Sequence, residues 1–459
     1  MELTASFSLP LSLLLPLFFL LLAIFQQRFP LSSLKSAVYV ALVEDRKRWV
    51  QRTSDLIGLS PTATYATHSL FGKRRILTGN PANVQHILKT RFTTYEKGYL
   101  FRGVFGEILG DGIFNIDGDS WKFQRQVSSH EFNTKSLRKF VETVVDMELN
   151  DRLIPLLSEA ARKGTVLDMQ DILQRFAFDN ICKIAFGHDP ACLLPSLPEE
   201  KFTQAFDEAV QLSSQRFSMP FPMLWKIKGL LNIGSEKRLK IAVAEIQFVI
   251  DIVISFIIAG RDTTSAALTW YFWLLSRNPH VENQVLREIR EKSETPIYED
   301  VKDLVYTHAS LCESMRFYPP VPLDTKEATS DDILPDGTVI KKGTRVTYHP
   351  YAMGRSEKIW GPDWAEFKPE RWLEKVDEAD RKWSFVGRDS FTYPVFQAGP
   401  RICLGRETAF LQMKRVVSGV LRRFRIVPVA EEGTEPVFLA YLTSKMEGGF
   451  PVRIEDRED

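Results

Sequence analysis

The stretch Phe396-Gln-Ala-Gly-Pro-Arg-Ile-Cys403-Leu-Gly405 constrains this 459-residue chain more than any other. It runs from a Pro/Gly-rich loop into a helical pattern that begins near Arg406. A cysteine at the start of a helix sits among unpartnered backbone N–H groups, at the positive end of the helix dipole. Both lower a thiol pKa and favour thiolate. Gly399 and Gly405 lack a Cβ, so the backbone there can pass close to a flat partner. Arg401 supplies a cation for an acidic group on that partner. The competing reading is a buried free cysteine, the ordinary fate of a cytosolic thiol. Cys182, Cys192 and Cys312 fit that reading, each in an apolar setting without such a loop.

Composition describes the body that must carry the loop. A 44% hydrophobic chain with 32 Phe and 25% charged residues is not intrinsically disordered. Fifty-nine Lys+Arg against 58 Asp+Glu leave a formal charge of +1, so nothing global attracts nucleic acid or anionic lipid. Four cysteines are too few for a disulfide scaffold and fit a reducing compartment. No N-x-S/T sequon occurs, and neither G-x-G-x-x-G after a strand, a Walker A loop, H-E-x-x-H nor C-x-x-C is present. The seven histidines are scattered with no i, i+4 pair, which counts against a histidine metal site.

Phe7 to Phe25 carries no charge, and as a helix its 19 residues would span about 28 Å, close to the roughly 30 Å hydrocarbon core of a bilayer. Arg28, Lys35 and Arg46-Lys47-Arg48 come after it, so that side is expected to face the cytosol. A retained single-span anchor over 1–28 fits better than a cleaved secretory signal, which wants a basic leader and a small-residue cleavage site. From 29 to 459 the pattern is one large, mainly helical domain with a small β-sheet region. Helical periodicity is expected near Ser120–Phe132, Lys135–Ala161, Asp168–Phe186, Glu200–Gln211, Phe248–Leu275, Pro279–Glu291, Lys302–Phe317 and Arg406–Arg423. Strand-like pieces are Ala63–Thr67, Arg74–Leu77, Thr338–Ile340, Thr344–Thr347, Val437–Leu442 and Phe450–Ile454.

The F-x-x-G-x-R-x-C-x-G loop resembles the haem-thiolate loop of the cytochrome P450 superfamily, and three further motifs resemble that superfamily's signatures in order. Ala259-Gly260-Arg261-Asp262-Thr263-Thr264 resembles its oxygen-activation motif. Ala259 and Thr263 are four apart on one helical face, and Gly260 leaves that face little bulk for a flat cofactor and a diatomic ligand. Asp262 and Thr263 offer a carboxylate and a hydroxyl that together relay protons. Glu313, Arg316 and Arg371 resemble its buried structural salt-bridge triad. Trp121 and Arg125 resemble its W-x-x-x-R pair, which hydrogen-bonds a haem propionate.

The resemblance implies a cytochrome P450 fold and haem b, with Cys403 as the axial thiolate and iron ligand. It places Trp121, Arg125, Ala259, Gly260, Phe396, Gly399, Arg401 and Gly405 around the cofactor. It implies a monooxygenase that inserts one oxygen atom from O2 into a C–H bond. Thiolate ligation pushes electron density onto bound oxygen. The chain has no flavin or nicotinamide motif, so electrons come from a separate NADPH–cytochrome P450 reductase docking on the cysteine side. Arg125, Arg401, Lys414, Arg415, Arg422 and Arg423 are candidates for a basic face there, with ordinary solvated charges an equal reading. The implied location is the endoplasmic reticulum membrane, with the catalytic domain in the cytosol and membrane lipid as a partner.

Gly110 to Trp121, Ser129-His-Glu-Phe132, Leu334-Pro-Asp-Gly337 and Val346-Thr-Tyr348 resemble the plant fatty-acid ω-hydroxylases, in the branch that includes the hydroxylases of jasmonoyl-isoleucine. The implied reaction is hydroxylation of the terminal carbon of a fatty acid. Jasmonoyl-isoleucine 12-hydroxylation and an inactive haem-binding remnant are the alternatives. Phe101, Phe114, Val321 and Leu323 correspond to substrate-lining positions in relatives, and Lys97 and Arg102 are candidates for holding the carboxylate. The sequence departs from the family where Arg238–Ile246 runs almost straight into Ile252-Val-Ile-Ser-Phe256. Relatives carry a polar connection and an additional helix there, so a segment near 246–252 is missing from this chain.

Overall fold

Capping residues and breakers set most helix ends. In the computed structural model Asp168 accepts hydrogen bonds from the Gln170 and Asp171 amides and starts one long helix. Gly187, left-handed at φ 64°, ends it. Residues 48–68, 74–130, 140–194, 196–197, 201–217, 222–246, 251–293, 297–375, 383–431 and 433–457 are described. The expected anchor at Phe7–Phe25 and the junction at 247–250 lie outside them. Among the described residues no helix is long and apolar enough to cross a membrane.

The helices that position the site are α1 (Trp49–Leu59), α2 (Gly98–Leu109), α3 (Gly118–Ser129), α4 (Ile154–Lys163), α5 (Met169–Phe186), α6 (Lys201–Phe217), α7 (Pro222–Leu231) and α8 (Gly234–Ile246). Next comes one long rod built from α9 (Asp251–Ile257), a π-turn (Ile258–Asp262) and α10 (Thr263–Arg277). Pro279 then opens α11 (Pro279–Arg290), followed by α12 (Val305–Phe317) and α13 (Arg406–Arg423). The bounds of α13 coincide with the sequence expectation. Helices α1, α2, α7 and α8 fall outside the segments in which periodicity marks a helix.

A five-stranded sheet runs in the order β1 (Thr64–His68), β2 (Arg74–Thr78), β6 (Arg345–Tyr348), β5 (Asp324–Ala328), β3 (Tyr95–Glu96). Only β2 and β6 pair in parallel, in the register Ile76↔Val346; the other pairs are antiparallel. A second sheet joins β7 (Phe424–Pro428) to β10 (Pro451–Asp456) and β4 (Leu167–Asp168). A hairpin of β8 (Phe438–Ala440) and β9 (Ser444–Met446) precedes β10.

The main core surrounds α10, α12 and α13. Trp270 is its centre, stacked on Tyr318 with centroids 4.1 Å apart. A second apolar cluster joins α2, α5, α6, α8 and α9. Ile258 of the π-turn belongs to this second cluster, and α5 contributes to both. Helix α10 is buried from Thr264 to Leu275, and that stretch accordingly carries no charge on any face.

Candidate functional site

The cysteine loop is built from two 3-10 turns, Pro394–Phe396 and Gly399–Arg401. The Cys403 amide donates to the Phe396 carbonyl at 2.9 Å, closing the loop just before α13. Gly399 has φ +65°, and a Cβ there would meet the Leu88 carbonyl oxygen at 2.1 Å. Its glycine therefore serves a left-handed turn packed on the backbone at Leu88, a different reason from approach to a cofactor. The Phe396 ring packs on Phe410 of α13 at 5.2 Å.

The Cys403 thiol is open to solvent-sized molecules yet walled in by protein. Burial pushes it up from its ordinary value, while the Gly405 amide, Arg125 and Arg406 pull it down without prevailing. The amide at the helix start and the two cations favour the thiolate expected from the sequence, and burial opposes it. A metal bound to sulfur is what removes the proton in such a site.

Arg401 is already matched. Its guanidinium donates to Asp117 at 2.7 Å and to the Ile116 carbonyl at 2.8 Å, and lies 4.4 Å from the Trp121 ring. The loop is thereby fastened to the start of α3, which carries Trp121 and Arg125. Arg125 has no ion-pair partner among the described residues, and its charge acts on Cys403.

A cation outside every sequence motif joins this set. Lys326 is 2% exposed on β5, and among the described residues its ammonium makes no well-aligned hydrogen bond, although Asp324 Oδ2 is 3.1 Å away. Burial pushes it down to about 7, against the pull of Asp324. Asp324 also receives Lys97 Nζ at 3.3 Å, the Tyr348 hydroxyl at 3.1 Å and Gln397 Nε2 at 2.7 Å. Burial alone would raise its carboxyl, but the two lysines hold it well below the usual range. The sequence signal was present: in Asp324-Thr-Lys326-Glu-Ala328, alternate residues turn inward, and two of those three are charged.

The distal motif falls on the π-turn. Such a turn inserts an extra residue into the helix and rotates the next turn about the axis, and π-turns cluster at functional positions. Ala259 stays exposed there, between buried Ile258 and Asp262 neighbours. Thr263 donates its hydroxyl to the Ala259 carbonyl at 2.6 Å. A Cβ on Gly260 would meet Ile181 Cδ1 at 2.7 Å, so this glycine lets α5 approach the rod. Asp262 is held by Arg261 at 2.8 Å, and no hydrogen bond joins it to Thr263.

These residues fit a haem. Cys403 offers a ligand sulfur and Ala259 a small side chain facing open space. Trp121, Arg125 and the under-bonded Lys326 would meet the two propionates. With the group bound, the chemistry supplied is activation of O2 by a thiolate-ligated iron.

Glu313, Arg316 and Arg371 come together at zero to 7% side-chain exposure. Arg316 grips Glu313 through two bonds of 2.8 Å and Arg371 adds a third at 2.8 Å, while Trp372 Nε1 donates at 2.9 Å. Phe101 lies in the second apolar cluster, whereas Leu323 packs against the main core. Phe114 sits exposed in the loop after α2, and Val321 is half-buried.

Two expectations about cations change. Lys97 is buried on Asp324, and Arg102 is an exposed partner of Asp111 at 3.7 Å, so neither projects freely into an apolar channel. The expected basic face is also largely consumed within the fold. Lys414 is buried on the Lys302 carbonyl, Arg415 pairs with Asp146, and Arg422 caps carbonyls at 289–293.

The cytochrome P450 family model matches residues 64–254 and 245–446, and its two segments meet where α8 gives way to α9. Cytochrome P450 94A2 of Vicia sativa is 59% identical over 458 residues, covering 91% of this chain and 89% of that relative. Cytochrome P450 94A1 of Vicia sativa is 54% identical (92% and 89% covered), and cytochrome P450 94B1 of Arabidopsis thaliana is 47% identical (90% and 89% covered). The crystal structure of the cytochrome P450DA heme domain matches with a TM-score of 0.73 at 19% identity, covering 90% of this chain and 94% of that one, a likeness of fold. A sulfur-bearing loop fastened to the W-x-x-x-R helix, a distorted rod carrying the distal motif, and these relatives lead to one conclusion: the chain belongs to the cytochrome P450 family, in its plant 94 branch, and is a haem-thiolate monooxygenase with Cys403 as axial ligand.

Proposed function

We propose that this monooxygenase hydroxylates the terminal carbon of fatty acids. The observation that carries the reading is the apolar cluster beside the π-turn, where Phe101, Phe105, Phe206, Ile254 and Ile258 are buried together next to Ala259. An alkyl chain enters such surroundings by losing contact with water, at roughly 0.8 kcal/mol per buried CH2. A chain end has no polar handle, so position along the chain is selected by the depth of the apolar wall. Asp262 and Thr263 carry protons to the reacting oxygen, and the rod holds them at the edge of that wall.

Electrons come from a separate reductase, as is general in this family, and NADPH–cytochrome P450 reductase is the proposed partner. Phe7–Phe25 is the proposed single-span anchor in the endoplasmic reticulum membrane, with the haem domain on the cytosolic side.

The test is turnover of lauric acid against jasmonoyl-isoleucine by the expressed protein with a plant reductase. Terminal hydroxylation of lauric acid supports the reading; turnover of the conjugate alone replaces it with hormone-conjugate hydroxylation. A carbon-monoxide difference spectrum lacking the red-shifted Soret band of the thiolate-ligated ferrous state would reduce the protein to an inactive remnant.

A further inference from the structure

A chamber of about 250 Å³ lies between α6, the π-turn and the β8–β9 hairpin. Asp207, Gln211, Asp262, Thr443 and Lys445 are among the residues that line it. Asp262 is buried at 4% exposure, whereas Gln211 is exposed and the Asp207 and Lys445 side chains keep 29% and 22%. The chamber therefore connects solvent to the acid of the distal motif. At roughly 30 Å³ per water it has room for several, and its lining supplies polar partners.

The charges along it alternate. Lys445 Nζ donates to Asp207 Oδ2 at 2.8 Å. Arg261 donates to Asp207 Oδ1 at 2.8 Å and, from the same nitrogen, to Asp262 Oδ1 at 2.8 Å. Burial pushes the Asp262 carboxyl up, the Arg261 guanidinium pulls it down, and the like charge of Asp207 raises it again. Burial would raise Asp207 too, but Arg261 and Lys445 hold it well below the usual carboxylate range. Of the two acids, Asp262 is the one placed to exchange a proton. The charges acting on it come from three elements, namely Arg261 on the rod, Asp207 on α6 and Lys445 on β9. Helix α5, packed against the same turn, meets it with Ile181.

We infer that this chamber admits the protons consumed by the reaction, and that Asp207 and Lys445 are positioning residues that set how readily Asp262 takes one, by dividing Arg261 between two carboxylates. The inference rests on the reading of Asp262 as a proton carrier. In the step, a chamber water breaks an O–H bond as the Asp262 carboxylate gains its proton, and that water regains a proton from solvent along the chamber; Asp262 then releases its proton through water toward Thr263, which restores the carboxylate. No electron moves.

The two partners have opposite signs. Removing the Lys445 charge withdraws a cation and raises the Asp262 midpoint. Removing the Asp207 charge withdraws an anion, leaves Arg261 wholly to Asp262 and lowers it. A residue that mattered for packing alone would not move the midpoint in opposite directions.

The test uses the haem-loaded ferric protein and Lys445→Gln, Lys445→Arg and Asp207→Asn. The infrared C=O stretch of protonated Asp262, assigned by its loss in Asp262→Asn, is followed across pH. The midpoint should rise by about half to one pH unit in Lys445→Gln, fall by a similar amount in Asp207→Asn and stay in place in Lys445→Arg. The pH profile of product formed per NADPH consumed should move in the same directions. An unmoved midpoint in Lys445→Gln, or an equal shift in Lys445→Arg, overturns the inference, and this pair decides even if Asp207→Asn fails to fold. If Asp262→Asn leaves coupling unchanged while the midpoints shift as stated, the proton-carrier reading fails and the delivery role falls with it, leaving only the electrostatic linkage.

Discussion

Gln397 Nε2 donates to Asp324 Oδ2 at 2.7 Å, tying the cysteine loop to the inward face of β5. Gln397 has φ 62° and ψ −180°, a region in which side chains other than hydrogen are strained. Strain of this kind costs about 1–3 kcal/mol and persists only where surroundings over-determine it. Gln397→Gly relieves the strain while losing the bond, whereas Gln397→Ala keeps the strain and loses the bond. Gln397→Ala should therefore be the less stable of the two by about 1 kcal/mol or more in urea unfolding. It should also retain less thiolate-ligated pigment in the carbon-monoxide difference spectrum. Equal stability of the two variants would mean that the backbone at 397 stores no such strain.

The Glu313 carboxylate serves two arginines and an indole with no access to water. Truncating Arg371 to Leu leaves that carboxylate short of a partner, and breaking a buried pair costs roughly 3–5 kcal/mol. Arg371→Leu is expected to yield little folded holoprotein, and Glu313→Gln to fare no better. Wild-type urea midpoints in either variant would contradict the buried-pair account.

Thr263→Ala removes the hydroxyl that bonds the Ala259 carbonyl on the π-turn. Haem should still bind, because no cofactor-holding residue is touched. The ratio of product to oxygen consumed should fall several-fold, with peroxide making up the difference, since a positioned proton donor typically contributes roughly 10²–10⁴ in rate. Unchanged coupling in an oxygen-electrode assay would exclude a relay through Thr263.

Two histidines link stability to acid. Burial pushes His308 and His349 down to about 3, and Lys414 and Arg406 add to the effect on His308. His308 lies between the Phe410 and Phe385 rings at 4.0 and 4.4 Å. His349 accepts from the Ala352 amide at its Nδ1 and shares a 3.0 Å bond with Thr53 at Nε2. Both stay neutral in the folded protein as pH falls through about 6.5, where unfolded histidine takes up a proton. The unfolded state then binds more protons, so stability is full above that pH and declines below it, by up to about 1.4 kcal/mol per pH unit for each histidine. His308→Phe should flatten the fall in urea midpoint between pH 7.5 and pH 5 relative to wild type. An identical slope would place the acid sensitivity elsewhere.

Replacing Cys403 by serine should abolish the pigment band and all substrate oxidation together, because no other described sulfur lies in a loop of this kind. Retention of both would remove the iron ligand from its assigned position.

The sequence by itself determined the local features. Asp168 and Gly187 bound α5, Arg406–Arg423 is helical because its apolar spacing follows the helical period, and the loop from Phe396 to Cys403 carries the resemblance that implies the ligand and the family. Glu313 and Arg316 were legible as an i, i+3 pair on one helix. Only the tertiary structure decided which charges meet across large separations. Lys326 had no local pattern beyond alternation in a strand, and Lys445 had none at all. Gly260 and Gly399 were visible as glycines, but their reasons, Ile181 and the Leu88 carbonyl, belong to other elements. The arginines expected to form a docking face were largely spent inside the fold. Sequence periodicity reports a residue's own helix or strand, whereas the fate of a buried charge depends on counter-charges brought from elsewhere, and only packing settles which of them arrive.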